Sequence, residues 1–169
     1  MTDPQPLVGV VMGSDSDLPV MQSCVDILEE LGIAWEVRVI SAHRTPDVAH
    51  AYAAGAKDRG LKVLVAAAGM SAALSGVLAA QTPLPVIGVP MASGPLGGID
   101  AALSTMQMPP GVPVACMAVG KAGAKNAAVY AAAILAVSDA DAAQKLAAFR
   151  DAQHRKVVEA DAAVQQPKH

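Results

Sequence analysis

Two short segments concentrate the groups that could do chemistry. Ser41-Ala42-His43-Arg44-Thr45-Pro46 places a histidine beside an arginine. An arginine presents a planar fork of donors to a phosphate or carboxylate, and a histidine moves a proton near neutral pH. Met12-Gly13-Ser14-Asp15-Ser16-Asp17 joins a turn glycine to two hydroxyls and two carboxylates at a helix start. Backbone N–H groups at such a start can hold a phosphate, with Asp15 and Asp17 turned elsewhere, for example toward sugar hydroxyls. The same residue types also cap helices, so both readings of this segment stand. It is neither a dinucleotide fingerprint, which needs further glycines, nor a P-loop, which needs Gly-Lys-Ser/Thr.

A third segment, Gly69-Met70-Ser71-Ala72-Ala73-Leu74-Ser75-Gly76, offers small residues and backbone amides but no acid or base. His50 lies seven residues after His43, about 10 Å along a helix and too far to share one ion. His154 and His169 fall in the charged tail, and Cys24 and Cys116 stand alone in apolar contexts. No metal site, cofactor motif or disulfide framework is expected, and both cysteines read as buried thiols. His43 is left as the one candidate general acid/base, which narrows the chemistry to proton transfer or rearrangement of a bound, self-activated substrate.

These segments need a frame, and the apolar pattern supplies one. Strands are expected at Leu7–Met12, Ala34–Ile40, Leu61–Ala67, Pro85–Val89 and Val112–Val119. Helices are expected from Pro19 to Leu31, Asp47 to Arg59, Ser71 to Gln81, Ile99 to Met106, Ala124 to Val137 and Asp139 to Ala163. Five alternations of strand and helix with short connections predict a parallel sheet covered on both faces. Ala34–Ile40 alternates apolar with charged residues, which suits a wetter strand near the sheet edge. Ligands in such sheets bind beyond the carboxyl ends of the strands, so the loops at 13–17, 41–46, 68–76, 90–98 and 106–111 are where a site belongs.

Composition sets the outer limits. The 169 residues, 17.0 kDa, fit a single domain over 1–169, with a core of about 7–137 and a C-terminal helix of about 139–163. Hydrophobic residues make up 53% and charged residues 16%, and between Lys62 and Lys121 only Asp100 carries a charge. That excludes a disordered chain and a nucleic-acid binder working through a basic patch. The uncharged run Val63–Thr82 is long enough to span a bilayer. It holds Gly69, Ser71, Ser75, Gly76 and Gln81, and four prolines follow by residue 95, so doubly covered strands are the better account. Met1–Leu7 has no basic segment followed by an apolar core, and no signal peptide is expected.

Gly13-Ser14-Asp15-Ser16-Asp17, Ser41-Ala42-His43-Arg44-Thr45-Pro46, Met106-Gln107-Met108-Pro109 with Gly111-Val112-Pro113-Val114, and Gly123-Ala124-Lys125-Asn126-Ala127-Ala128 together resemble the N5-carboxyaminoimidazole ribonucleotide mutases. The resemblance runs in order over about residues 7 to 160. It implies a flavodoxin-like three-layer α/β/α sandwich with a five-stranded parallel sheet and an extra C-terminal helix. It also implies a cytoplasmic enzyme of purine biosynthesis, a homo-octamer with sites between subunits, no metal and no cofactor. Its substrate would be a ribonucleotide, with Ser14, Ser16, Asp17, Ser41, Ala42, Arg44, Gly69, Ser71 and Leu74 as binding residues and His43 as proton carrier.

The third segment departs from the typical mutase pattern. Ala73 stands where a second histidine is usual and Ser75 where a proline is, and Ala73-Leu74-Ser75-Gly76 is similar to the sister aminoimidazole ribonucleotide carboxylases. Those usually have lysine where this chain has Arg44. The alternatives are therefore a carboxylase using free carbon dioxide and, in another class, a non-catalytic nucleotide-phosphate-binding module. With only four aromatic residues for its core, the chain is also expected to pack its small-residue helices, Ser71–Gln81 and Ala124–Val137, against other subunits.

Overall fold

The computed structural model describes residues 5–165. The reading of Met1–Leu7 falls mostly, and His169 wholly, outside them. Five strands form one parallel sheet: β1 (Val8–Met12), β2 (Trp35–Val39), β3 (Val63–Gly69), β4 (Val86–Met91) and β5 (Ala115–Cys116), in the order β2-β1-β3-β4-β5. The helices are α1 (Leu18–Glu30), α2 (Pro46–Ala54), α3 (Leu74–Ala79), α4 (Ile99–Met106), α5 (Lys121–Ala136) and α6 (Ala140–Val164). β1 and β4 are buried along their whole length, and β3 is buried from Val63 to Ala67. The uncharged middle of the chain is therefore sheet covered on both sides. Among the described residues no helix is long and apolar enough to cross a membrane.

Alternation along the strands divides the core in two. Val8, Val10 and Met12 of β1 face α1, α5 and α6, whereas Val11 faces α2 and α3. Ala124, Ala127, Ala128, Ala131 and Ala132 are at most 1% exposed, because α5 lies between α1, α6 and the sheet. These five alanines are thus covered within the protomer, whereas Ala122 is exposed and Ala133 and Ala136 are half-buried. On the first face Cys24 is buried, and burial pushes its thiol up to about 12. Cys116 is only half-buried, so one of the two expected buried thiols is at the margin of the core.

Several boundaries differ from the sequence expectation, each for a local reason. α2 stops at Ala54, and residues 55–60 form turns closed by Ala56 N–H to Ala53 O and Arg59 N–H to Gly55 O. α3 begins at Leu74 because residues 70–73 make a tight turn around Met70, which has φ 54°. β5 shrinks to two residues, since Pro113 has no N–H to donate to a ladder. α5 begins three residues early, after Gly120 at φ 72°.

β2 lies at the sheet edge, as its alternating pattern predicts, and its outer end is clamped to α2. Tyr52 donates a 2.7 Å hydrogen bond to Glu36 Oε1, and the Arg59 guanidinium lies 4.6 Å from the Tyr52 ring centroid. Burial, followed by the Glu36 contact, pushes the Tyr52 hydroxyl above its ordinary range. The clamp ties α2 to β2 near the amino end of the strand, and the segment joining the two elements contains His43 and Arg44.

Candidate active site

The order in which strands are added switches direction at β1: β2 lies on one side of it and β3 on the other, all of them parallel. The loops after these strands diverge there and leave a cleft at their carboxyl ends, where ligands bind in open parallel sheets. Its volume is about 430 Å³, and it is lined by the loops following β1, β2 and β3 together with Ser93 after β4. All ten residues singled out from the sequence line it: Ser14, Ser16, Asp17, Ser41, Ala42, His43, Arg44, Gly69, Ser71 and Leu74. A larger groove of about 560 Å³ at the opposite edge has Lys62 and Asp139 as its charged lining and none of these residues.

The first loop is ordered by its own hydroxyls. Ser14 adopts an extended conformation and its Oγ accepts from Ser16 N at 3.3 Å and Ser16 Oγ at 2.9 Å. A single 3₁₀ turn over Asp15–Asp17 then leads into α1, whose second residue is Pro19. Ser14 therefore does cap a helical turn, and it also lines the cleft. Asp17 is only 9% exposed. Burial raises its carboxyl above the usual 3.8 and the Asp15 charge adds to this, while a hydrogen bond with the Ser14 backbone opposes both.

The second loop closes on itself and then on the first. Thr45 Oγ1 accepts from Ser41 N at 3.0 Å, and Ser41 Oγ accepts from Arg44 N at 3.1 Å and Arg44 Nε at 3.3 Å. Arg44 Nη2 donates to the Gly13 carbonyl at 2.8 Å. Two of the arginine's five donors thus hold the loop, and the rest remain for an anion. His43 is exposed at the cleft and makes no side-chain hydrogen bond to a described residue.

The third loop turns sharply. Met70 takes the left-handed conformation, with Ala72 N–H to Met70 O at 2.9 Å and Ala73 N–H to Ser71 O at 2.7 Å. Ala73 and Leu74 reach the cleft, whereas Ser75 is 3% exposed and turns into the protein. Of the two departures in this loop, only Ala73 touches the site. Ser93 is the polar lining side chain that sequence reasoning missed. One serine in a proline- and glycine-rich loop carries no pattern, and only the expectation that the 90–98 loop reaches this edge pointed toward it.

The cleft's titratable groups are therefore Asp17, His43 and Arg44, set among hydroxyls and backbone. That set can grip an anion, accept from hydroxyls and transfer one proton. A family model described as AIR carboxylase matches residues 7–156. An N5-carboxyaminoimidazole ribonucleotide mutase from Bacillus subtilis is 52% identical over 155 residues, 92% of this chain and 96% of that relative. One of the same description from Pyrococcus horikoshii is 49% identical over 159 residues, covering 94% and 89%. A crystal structure of Treponema denticola PurE superposes with a TM-score of 0.85 at 29% identity, covering 95% of this chain and 99% of that one. With a family match over most of its length and relatives at half identity, the chain belongs to the AIR carboxylase family.

Proposed function

We propose that this protein is an N5-carboxyaminoimidazole ribonucleotide mutase of purine biosynthesis, forming 4-carboxy-5-aminoimidazole ribonucleotide. The observation that carries this reading is one cleft combining a free histidine with an arginine–serine anion grip, in a chain half identical to relatives of that description. The ribose phosphate lies against Ser14, Ser16, Ser41 and the remaining Arg44 donors. Asp17 accepts from the ribose hydroxyls. Ala42, Gly69, Ser71 and Leu74 line the path of the base.

His43 carries the proton. Protonated, it donates to the carbamate nitrogen; the N–C bond breaks, carbon dioxide leaves, and the nitrogen keeps the electron pair. The enamine-like ring carbon then attacks carbon dioxide and forms the new C–C bond. The neutral imidazole removes the proton from that carbon, so one proton is given and one recovered. Enclosure matters between the two steps, because a released carbon dioxide would otherwise have to be recaptured from dilute solution. The small, uncharged third loop suits a neutral guest.

Ala73 at the cleft supports a second reading, direct carboxylation of aminoimidazole ribonucleotide by free carbon dioxide. Turnover assays with the carbamate substrate, and with aminoimidazole ribonucleotide plus bicarbonate, separate the two. Product from the carbamate is expected; product from the second pair alone would make the enzyme a carboxylase. Binding of nucleotide without product in either assay would leave only a binding module.

The protein works as a single-domain protomer in a cytoplasmic homo-octamer on this reading. Support comes from α4, where Ile99, Leu103 and Met106, spaced i, i+4, i+7, are 68%, 49% and 53% exposed. Such a stripe on a short helix suits contact with another copy.

A further inference from the structure

Ser93 sits at a distinctive point of the cleft. The sheet order places the loops in the sequence second, first, third, fourth along the carboxyl edge. Arg44 follows β2 and Ser93 follows β4, three strand spacings apart, or about 14 Å at the sheet edge. If the phosphate lies at the Arg44 end, as the function proposed above has it, the base of an extended nucleotide points toward β3 and β4. At that end the lining is Ala68, Gly69, Met70, Ser71, Ala73, Leu74 and Ser93, with no charged group.

The Ser93 hydroxyl is held there by packing. It occupies the space where a Cβ on residue 69 would stand, and the Ser93 Cβ would lie 3.0 Å from that atom. Gly94, next in the chain at φ 82°, is seated against Met70, with 3.3 Å from its would-be Cβ to Met70 Cγ. The fourth loop therefore rests on the third at two successive residues. Ser93 is half-buried, and its hydroxyl has no hydrogen-bond partner among the described residues. A hydroxyl on a cleft-lining residue, left without an intramolecular partner, is a donor available to a ligand.

We propose that Ser93 is a specificity-determining residue that donates a hydrogen bond to the carboxylate of the carboxylated base, and that Gly69 is required because it leaves room for this hydroxyl. This rests on the function proposed above. A neutral enclosure can hold carbon dioxide, but a carboxylate on the ring needs donors, and Ser71 and Ser93 are the side chains able to supply them at this end. A hydrogen bond to a charged acceptor is typically worth ten- to a hundred-fold in affinity.

The test is equilibrium binding of 4-carboxy-5-aminoimidazole ribonucleotide and of the uncarboxylated aminoimidazole ribonucleotide to the intact protein, its S93A variant and its G69A variant. S93A is expected to lose about ten-fold or more for the carboxylated nucleotide and less than two-fold for the other. G69A, which displaces the hydroxyl without deleting it and also narrows the path of the base, is expected to weaken both nucleotides, the carboxylated one by at least five-fold more. In turnover, S93A should raise KM for the carboxylated nucleotide more than it lowers kcat. An equal loss for both nucleotides, or none for either, with the parent protein binding normally, would overturn the role of Ser93 alone. Failure of the parent protein to bind either nucleotide would overturn the proposed function and this inference with it. A folded S93A whose thermal midpoint matches the parent keeps the comparison valid should G69A not fold.

Discussion

The Arg44 side chain and the Gly13 carbonyl, 31 residues apart in the chain, are joined by a 2.8 Å hydrogen bond across the carboxyl ends of β1 and β2. This bond fixes the distance between the loop that carries His43 and the loop that carries Ser14, Ser16 and Asp17. The arginine proposed to bind the phosphate is thus also the tie that shapes the cleft.

Arg44→Ala is expected to weaken nucleotide binding by about 2–3 kcal/mol, the scale of a charge-assisted contact, with a smaller loss of stability from the freed loop. Arg44→Lys should recover little of the binding, because an ammonium cannot span Ser41, Gly13 and a phosphate at once. Calorimetric titration checks both; unchanged affinity in Arg44→Ala would remove it from the site.

His43→Asn should lower kcat by about 10²- to 10⁴-fold, the usual contribution of a general acid/base, while substrate affinity stays within a few-fold. Turnover and binding measured on the same preparation decide this. Retained turnover would move the proton transfer to another group.

Asp17 contributes a pH dependence of unusual sign. Its carboxyl is held above 3.8 by burial, so over a window above that value the folded protein keeps a proton the unfolded chain has released. Its contribution to stability falls as pH rises through that window, and the cost persists at neutral pH. Asp17→Asn removes this titration, so its stability relative to the parent should improve from pH 4 upward and then level off. Nucleotide binding should weaken about ten-fold through loss of the proposed acceptor for ribose hydroxyls. Urea unfolding between pH 4 and 7 reads the first effect; a pH-independent difference would contradict it.

Leu103→Glu places a charge in the middle of the exposed apolar stripe on α4. Sedimentation is expected to shift the protein from a large assembly toward smaller species, with the circular dichroism of the protomer retained. A parent protein that sediments as a monomer would end the octamer reading.

Gly98 starts α4 at φ 89°, and a Cβ there would stand 2.6 Å from Val119 Cγ1 and 3.1 Å from the Met91 carbonyl. Gly98→Ala should cost about 2–4 kcal/mol, combining left-handed strain with crowding. A thermal midpoint within 1–2 °C of the parent would show that the loop relaxes freely.

Much of this fold is legible because its strands obey a simple rule. Val8–Met12, Val63–Ala67 and Val86–Val89 are short, uncharged and bounded by turn residues, the pattern of strands covered on both sides. Trp35–Val39 reads as an edge strand because Glu36 and Arg38 interrupt it. The His43–Arg44 loop is legible because charged residues are scarce between strands. What the pattern hides is backbone detail: the left-handed Met70 delays α3 by three residues, and Pro113 leaves β5 little ladder. Ser93 is hidden for another reason, since its place against Gly69 depends on two loops that meet only in three dimensions. The fate of the alanines was hidden too, because a helix made of small residues looks alike whether it is covered by its own chain or another.

α6 continues well past its support. Leu146 is its last buried residue, and from Asp151 to Val164 every residue is exposed, an overhang of roughly 20 Å. A helical segment of that length gains little from its own backbone in water. In a lone protomer the overhang should open and reclose many times for each opening of the sheet, so its amide protons would exchange on a separate, faster clock. Any neighbour that covers it would slow that clock, which makes exchange at these last turns a local gauge of whether another copy lies against them.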